Sequence, residues 1–196
     1  MSSFSDSALP AGTVEQAQRG EMPACEAIFR AFEVPVRTLA RRLVPRRALA
    51  EDLAQDVFVE ILAKLGQFDG RGSFAGWVRA ITVNRCLMHL RSPWHRSMAW
   101  IESGGAGEFE SGPCAQASDG ANLLDLERAM AQLAPVARAV VWLHDVEGYT
   151  HAEIGALFGG STSFSKSQLA RAHERLRGLL EPDGVEASCM PVSTSS

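Results

Sequence analysis

Apolar residues recur at every third or fourth position along most of the chain, which is the spacing of an amphipathic helix. Three such runs in the first half cover about 23–44, 47–65 and 73–91. Proline does not continue a helix, so we expect Pro35 to kink or split the first run and Pro93 to close the third. The pattern therefore predicts three helices in this half, with the turn QFDGRG before the third.

The pattern changes after the third run, where residues 93–121 are rich in Gly and Ser and have no hydrophobic period. We expect a flexible linker there. Helical spacing returns over 122–181, and Thr150 and Glu153 have the spacing of a capping box at the start of a short helix. That helix, a turn and a last helix capped by Ser163 predict a helix-turn-helix.

These patterns predict an all-α protein with two small helical domains joined by a flexible linker, the second domain carrying the helix-turn-helix. We expect the N-terminal domain over 22–92 and the C-terminal domain over 122–181. The two ends of the chain, 1–21 and 182–196, are rich in small and polar residues, and we expect both to be flexible tails.

The charge of the chain is unevenly distributed. Its 196 residues include 19 Lys and Arg against 23 Asp and Glu, and the net charge of -4 argues against a protein that coats nucleic acid by itself. The net charge is nevertheless +5 over 26–100 and +2 over 166–181, with -4 over 101–119 and -3 over 120–165. Local basic surface is what meets phosphate, and it is confined to the N-terminal domain and the last helix.

Candidate chemistry of other kinds is sparse in the sequence. It contains no Walker loop, dinucleotide-binding turn or nucleophile constellation, so we expect no enzyme activity and no cofactor. The four cysteines are scattered, and Cys86 and His89 have no second ligand pair to accompany them, so we expect no metal site. The sequence has neither a long apolar run nor a secretory signal pattern, so we expect a cytoplasmic chain.

Two runs of the sequence match a known pattern. The run AEDLAQDVFVEILAKLGQFDGRGSFAGWVRAITVNRCLMHLR, from Ala50 to Arg91, is followed by LAPVARAVVWLHDVEGYTHAEIGALFGGSTSFSKSQLARAHERLR, from Leu133 to Arg177. In that order, and without a gap within either run, they resemble domains 2 and 4 of the extracytoplasmic-function sigma factors of bacterial RNA polymerase. The resemblance implies a promoter-recognition subunit whose partners are core RNA polymerase, promoter DNA and an anti-sigma factor.

The resemblance also implies roles for residues of the N-terminal domain. In the family, the acidic second helix of domain 2 docks on the coiled coil of the polymerase β′ subunit, where the matching residues here are Asp52, Gln55 and Asp56. The turn before the third helix, and that helix, resemble the part that melts and reads the −10 element. Melted DNA exposes unstacked bases that aromatic and amide side chains can bind, while Arg holds phosphates. The candidates are Phe68, Arg71, Ser73, Trp77, Arg79, Asn84 and Arg85.

The C-terminal domain is expected to bind the −35 element, with its last helix in the major groove. The resemblance implies the β flap of core polymerase as a further contact. Arg and Lys side chains suit guanine edges, and Gln suits adenine. The candidates are Ser163, Lys166, Gln168, Arg171 and Arg175. The residues expected in the core of this domain are Leu169, Ala172 and Leu176.

Several aromatic side chains have two interpretations at this point. Phe74 and Trp77 either pack in the core or contact melted DNA. Ser165 stands where the family usually has an apolar residue, and Phe164 either fills that core position or contacts a thymine methyl group.

A different class of protein remains as the alternative function. A stand-alone helix-turn-helix regulator that binds duplex operators would explain residues 133–177. It would not explain the acidic second helix or the aromatic and polar third helix. Unlike a sigma factor, such a regulator binds duplex DNA tightly without core polymerase.

Overall fold

The computed structural model describes Phe4, residues 7–102 and residues 121–180, and at 92–102 and 121–124 it describes the backbone only. Within these residues all regular structure is helical, which confirms the predicted fold class. The helices are α1 (Thr13–Gln18), α2 (Met22–Leu43), α3 (Arg47–Lys64), α4 (Phe74–Glu102), α5 (Ala121–Ala131), α6 (Pro135–Val141), α7 (His151–Phe158) and α8 (Thr162–Leu180). A 3-10 turn follows α3 at Leu65–Gln67, and a π-helical turn follows α6 at Trp142–Val146.

Helices α2, α3 and α4 pack on one another in the N-terminal domain and bury the apolar stripe of each. Of the predicted kink or split at Pro35, the split is wrong, because α2 is one helix of 22 residues that contains this proline. Proline removes a single hydrogen bond from the helical ladder, and burial of Pro35 in the core helps to offset that loss. The largest fully buried side chains of this domain are Ile28, Phe32, Val36, Leu39, Leu43, Val44, Val57, Ile61, Val78 and Leu87.

The boundary at the end of the N-terminal domain also differs from the prediction. Pro93 does not close the third helix, since the backbone of α4 stays helical through this residue to Glu102. A long helix can lose the one hydrogen bond that proline cannot make and still continue. The rest of the predicted linker, residues 103–120, lies outside the described residues, as does the predicted C-terminal tail over 182–196.

The expected loose tail at the N-terminus is wrong for its described part. Helix α1 packs on α2, and Thr13 and Ala17 are buried there. The hydroxyl of Thr13 donates a hydrogen bond to the carbonyl of Pro10 at 2.7 Å. The Phe4 ring is buried and stacks on Phe32, with 6.3 Å between ring centroids. Small and apolar side chains placed among polar ones are sufficient to hold this segment on the domain.

The C-terminal domain packs α5, α6 and α7 on α8. The predicted capping box is present: the Thr150 hydroxyl accepts a hydrogen bond from the Glu153 amide at 3.2 Å, and the Glu153 carboxylate accepts from the Thr150 amide at 2.8 Å. The turn of the helix-turn-helix is tight, since a Cβ atom on Gly155 would lie 2.8 Å from the carbonyl oxygen of Ser161. Glycine is therefore required where α7 meets the start of α8.

The predicted cap of the last helix, Ser163, lies two residues after the observed one. Helix α8 begins at Thr162, and the hydroxyl of Ser161 accepts a hydrogen bond from the amide of Phe164 at 3.2 Å. Ser163 therefore lies inside the first turn, where its side chain is exposed. Two neighbouring serines satisfy the same capping pattern, and the sequence alone does not distinguish them.

The two domains contact each other through α2 and α4 on one side and α6 and α7 on the other. The Arg138 guanidinium donates to the backbone carbonyl of Arg42 at 2.9 Å and to that of Arg41 at 3.3 Å. The Arg42 guanidinium in turn lies 4.7 Å from the centre of the Trp142 ring. A cleft of about 390 Å³ lies between α4 and the segment from Tyr149 to Leu157 that contains α7.

Candidate polymerase and promoter-binding surfaces

The outer face of α3 carries the three residues expected to bind core polymerase. Asp52, Gln55 and Asp56 are all exposed, because their spacing of three and four positions places them on one side of the helix. Val59 continues this face with 68% of its surface exposed. The opposite side is buried through Leu53, Val57 and Ile61. We call the surface formed by Asp52, Gln55, Asp56 and Val59 the α3 face.

The acidic residues of α3 differ in what they contact. Glu51 faces α2, where Arg41 donates hydrogen bonds to its carboxylate and lowers the pKa of that group. Asp56 accepts a hydrogen bond from Arg85 at 2.7 Å, and this bond raises the pKa of the arginine. In the described part of the chain, Asp52 makes no side-chain hydrogen bond or ion pair. Asp52 is therefore free to contact a partner, whereas Asp56 is shared with a residue expected to bind DNA.

Three aromatic rings form a cluster where the QFDGRG turn meets α4. The ring centroids of Phe68 and Phe74 lie 5.2 Å apart, those of Phe68 and Trp77 lie 5.6 Å apart, and those of Phe74 and Trp77 lie 5.4 Å apart. Phe74 also contacts the buried Phe32 ring at 5.7 Å, which places it on the core side of the cluster. All three rings of the cluster are half-buried, so each retains an edge or face toward solvent.

The loop that leads into this cluster is shaped by glycines. Gly70 and Gly72 have φ angles of 78° and 81°, in the left-handed region that favours glycine. Between them, the Arg71 side chain is 91% exposed and lies 3.2 Å from the Asp69 carboxylate. Ser73, a candidate DNA contact, accepts a hydrogen bond from the amide of Gly76 at 3.0 Å, so its hydroxyl caps α4.

The polar candidates on α4 do not lie on one common surface. Arg79 faces the C-terminal domain, where it donates to the carbonyl of Glu147 at 3.3 Å and lies 5.3 Å from the centre of the Tyr149 ring. Asn84 is exposed and lines the cleft between the domains. Arg85 points instead toward α3. The structure therefore brings the aromatic candidates together and separates the polar ones.

The candidates for −35 binding lie along α8. Ser163, Lys166, Arg171 and Arg175 are exposed, whereas Gln168 is half-buried at the edge of the helix. Arg171 donates a hydrogen bond to the carbonyl oxygen of Ser167 at 3.2 Å, so the aliphatic part of the Arg171 side chain lies along the helix. The predicted core residues of this helix are buried, and they are Leu169, Ala172 and Leu176.

Ser165 is the buried polar residue of α8, and the structure supplies its partner. Its hydroxyl is fully buried and lies 3.1 Å from Nδ1 of His151, at the start of α7. Phe164 packs on Phe158 with 5.8 Å between ring centroids, so it rests against the core rather than standing free. The sequence signals neither contact, because both join residues of different helices.

Three histidines, His144, His151 and His173, make further contacts in this domain, and local spacing in the sequence gives no signal of them. The rings of His144 and His151 stack with 4.4 Å between centroids. Burial would raise the pKa of Asp145, but hydrogen bonds with His144 and His173, at 2.8 and 2.7 Å, lower it below its ordinary value. Burial and the neighbouring His144 lower the pKa of His151. These contacts tie α8 to the turn that follows α6.

Other kinds of site are not formed by the described residues. No group of three His, Cys, Asp or Glu side chains among them is arranged to hold a metal ion. Cys86 is buried, and burial raises the pKa of its thiol to about 12. Of the helices in the described ranges, none is long and apolar enough to cross a membrane.

Comparison with known proteins agrees with the two-domain organisation. Residues 28–96 match the family model Sigma-70 region 2, and residues 123–176 match Sigma-70, region 4. The chain is 31% identical to the RNA polymerase sigma factor CarQ of Myxococcus xanthus over 173 residues, which cover 85% of this chain and 95% of that protein. It is 30% identical to the ECF RNA polymerase sigma factor SigE of Mycolicibacterium smegmatis over 188 residues, which cover 91% of this chain and 71% of that protein.

Solved structures share the fold. The sigma factor RpoE of Bartonella quintana, in complex with the anti-sigma factor NepR, superposes with a TM-score of 0.54 at 23% identity and covers 81% of this chain and 98% of that chain. CnrH in complex with the cytosolic domain of CnrY gives a TM-score of 0.50 at 21% identity, covering 88% of this chain and 97% of that chain. The two domain matches lie in the expected order, and the sequence relatives align over most of the chain. The solved structures have the same helical fold. The chain therefore belongs to the extracytoplasmic-function sigma factors, alternative sigma factors that bind core RNA polymerase and direct transcription initiation at promoters.

Proposed function

We propose that this sigma factor docks on core polymerase through the α3 face and reads the −10 element with the aromatic cluster and the loop before α4. It reads the −35 element with the exposed side of α8. The observation that carries the proposal is the α3 face itself, where exposed acidic residues lie beside an exposed valine. A regulator that binds duplex DNA unaided has no use for such a surface on a separate domain.

The α3 face suits a helical protein partner. Asp52 supplies a negative charge, Gln55 supplies hydrogen bonds, and Val59 supplies apolar area next to them. Leu62, which is 51% exposed, extends the apolar area by one turn. Apolar contact surrounded by charge is the usual composition of a specific protein interface, and the charges determine which partner binds. The coiled coil of β′ is the proposed partner.

The aromatic cluster suits melted DNA. The half-buried rings of Phe68 and Trp77 offer surfaces on which an unstacked base can stack. The exposed Arg71, on the loop before them, is placed to hold a phosphate of the same strand. Phe74 is the exception, because its contact with Phe32 assigns it to packing.

Promoter binding by this arrangement requires the two domains to separate. Arg79 is held by the C-terminal domain, and Asn84, although exposed, lines the cleft between the domains, so the C-terminal domain limits the access of the −10 strand to both. We propose that core polymerase separates the domains, frees these side chains and sets the distance between the two DNA-binding surfaces. The chain then acts in the cytoplasm without enzyme activity of its own.

An anti-sigma factor is the further proposed partner. The two solved relatives with the same fold were determined with partner proteins, one of them named as an anti-sigma factor. A protein that binds the two domains in contact would keep Arg79 and Asn84 away from DNA. Co-purification of this chain with the product of a neighbouring reading frame, followed by loss of transcription on mixing, tests this partner.

Transcription in vitro tests the proposed function. The chain is mixed with core polymerase and fragmented genomic DNA, and the start sites of the transcripts are mapped. We expect starts that share a −10 and a −35 sequence and that require both components. Tight and specific binding of a duplex by the chain alone, measured by gel shift, would instead favour the stand-alone regulator.

A further inference from the structure

Helix α1 lies against the beginning of the loop that is proposed to read the −10 element. It contacts both α2 and the 3-10 turn at Leu65–Gln67. The match to Sigma-70 region 2 begins at residue 28, so the family comparison assigns no role to this helix. Its contact with the loop is therefore a feature of this chain that the proposed function leaves unexplained.

One side chain makes that contact. The amide Nε2 of Gln18 donates a hydrogen bond to the carbonyl of Leu65 at 3.0 Å and another to the carbonyl of Phe68 at 2.9 Å. A Gln amide nitrogen has two hydrogens, so both are used. The same turn is closed from inside by the amide of Phe68, which donates to the carbonyl of Leu65 at 3.2 Å. Gln18 thus joins the two ends of one turn of backbone.

The carbonyl of Phe68 needs an outside partner, because it lies beyond the 3-10 turn and accepts no backbone hydrogen bond among the described residues. The carbonyl of Leu65 already accepts from the Phe68 amide, and Gln18 gives it a second donor. Without Gln18 the Phe68 carbonyl would depend on water, and the turn would be held only by its single internal bond. The loop beyond it contains glycines at 70 and 72, and within it the amide of Arg71 donates to the Asp69 carboxylate at 3.0 Å.

Helix α1 is a firm support for this side chain. Ala17, the neighbour of Gln18, is buried against the domain, and Thr13 is buried one turn earlier. The end of the helix is closed by the amide of Gly20, which donates to the carbonyl of Ala17 at 2.9 Å. Gln18 therefore projects from a backbone whose position does not depend on the loop.

We infer that Gln18 is a positioning residue for −10 recognition, which holds the carbonyls of Leu65 and Phe68 so that the Phe68 ring stays in the aromatic cluster. The inference rests on the proposed function, because it requires that Phe68 and its loop meet the −10 strand. Gln18 does not touch DNA in this role. It fixes the loop before DNA arrives, which reduces the ordering that binding would otherwise require.

The test compares Gln18→Leu with Gln16→Leu. Both variants place leucine on the exposed surface of α1, and in the described part of the chain the Gln16 side chain makes no hydrogen bond. The templates are a promoter mapped with the wild-type chain and the same promoter with single-base changes in the −10 or in the −35 element. Core affinity, melting temperature and hydrogen exchange of the amides at 66–73 are measured on the same proteins.

We expect Gln18→Leu to reduce discrimination among −10 bases by about fivefold. This is the effect of losing roughly one net hydrogen bond that orders the loop. A less ordered loop weakens initiation on the promoter with the preferred −10 base, where the base contact is made. It has little effect on a promoter with a changed −10 base, because that contact is already lost. Discrimination at −35, core affinity and melting temperature are expected to match those of Gln16→Leu. Exchange of the loop amides is expected to rise in Gln18→Leu alone.

Gln18→Lys provides the rescue, because an ammonium group also donates to two carbonyls. Recovery of −10 discrimination and loop protection by this variant supports the positioning role. The role is overturned if Gln18→Leu behaves as Gln16→Leu, or if it lowers initiation equally on all templates together with the melting temperature. Failure of the wild-type chain to direct initiation would overturn the proposed function instead, and hydrogen exchange would still decide whether Gln18 holds the loop.

Discussion

Ser165 illustrates how single residues determine the geometry of the DNA-binding helix. A hydroxyl in a core is costly unless it has a hydrogen-bond partner, and His151 supplies that partner at 3.1 Å. Since His151 begins α7 and Ser165 lies in the first turns of α8, the bond fixes the angle between the two helices of the helix-turn-helix. The polar residue is thus compatible with a packed core and adds a directional constraint that an apolar residue would not provide.

We predict that His151→Leu destabilises the C-terminal domain by about 1–3 kcal/mol, because the Ser165 hydroxyl is left buried without a partner. Adding Ser165→Ala to that variant should recover most of the loss, since the unpaired group is then removed. Urea unfolding of both variants measures the effect. His89→Leu, at an exposed position of α4, is the matched control and should leave the unfolding free energy nearly unchanged. Equal unfolding free energies for His151→Leu and the double variant would contradict the argument.

At the scale of the helices, α3 and α4 each combine a buried stripe with an outer surface that carries proposed binding residues. The Asp56–Arg85 ion pair joins these two surfaces, since one residue is proposed to meet polymerase and the other DNA. Substitution of Asp56 would therefore disturb both surfaces. Asp52 has no such pairing in the described residues and gives the cleaner test of docking.

We predict that Asp52→Lys weakens binding to core polymerase by about tenfold or more, because it reverses a charge at the centre of the proposed interface. The melting temperature should not change, since Asp52 is exposed and packs against nothing in the core. Glu15→Lys on α1 makes the same change of charge away from the α3 face and serves as the control. Equal affinities of the two variants for fluorescently labelled core would remove the α3 face from the proposal.

Helix α8 is built in the same way, with a buried stripe and an exposed side that carries the basic residues. We predict that Arg171→Ala weakens binding of holoenzyme to −35 duplex by about 1–3 kcal/mol and relaxes the preference at one base pair. Arg177→Ala removes the same charge nearer the end of the helix and should weaken all sequences alike. A uniform loss across sequences for Arg171→Ala would show that this side chain holds phosphate and does not read a base.

At the scale of the whole molecule, the contact between the domains is made largely by arginines that donate to backbone carbonyls. Arg138 reaches the end of α2, Arg91 donates to the carbonyl of Leu157 at 3.3 Å, and Arg79 reaches Glu147. Burial of Arg138 lowers the pKa of its guanidinium. Hydrogen bonds of this kind are directional, and relative movement of domains is the usual expectation unless their interface is large and hydrophobic.

We predict that Arg138→Ala separates the domains, because it removes two hydrogen bonds across the interface while leaving the proposed DNA contacts intact. Small-angle scattering of the free protein should show a larger radius of gyration than that of the wild type. Association with core polymerase should become faster, since the domains no longer have to be parted. Arg177→Ala, which lies away from the interface, is the control. An unchanged radius of gyration would show that Arg138 does not hold the domains together.

The sequence by itself predicted most of the helices, because hydrophobic spacing is a local signal, and the resemblance to a known family supplied the candidate surfaces. Hydrophobic spacing placed α3 and the buried stripe of α8, the Thr150–Glu153 pair marked the start of α7, and the family resemblance supplied Asp52 and Arg171. Each of these features depends on residues within a few positions of one another. The aromatic side chains were also identified from the sequence. The sequence did not determine which of them pack in the core and which remain available to bind DNA.

Only the tertiary structure decided the rest, because it depends on contacts between residues far apart in the sequence. Packing in the core allows α2 to continue through Pro35, and burial of Ala17 turns an apparent tail into a helix that supports the loop at Phe68. The sequence shows Arg79 as a basic residue on a helix. The structure shows that it is held by the other domain, since a long-range partner has no signal in local spacing.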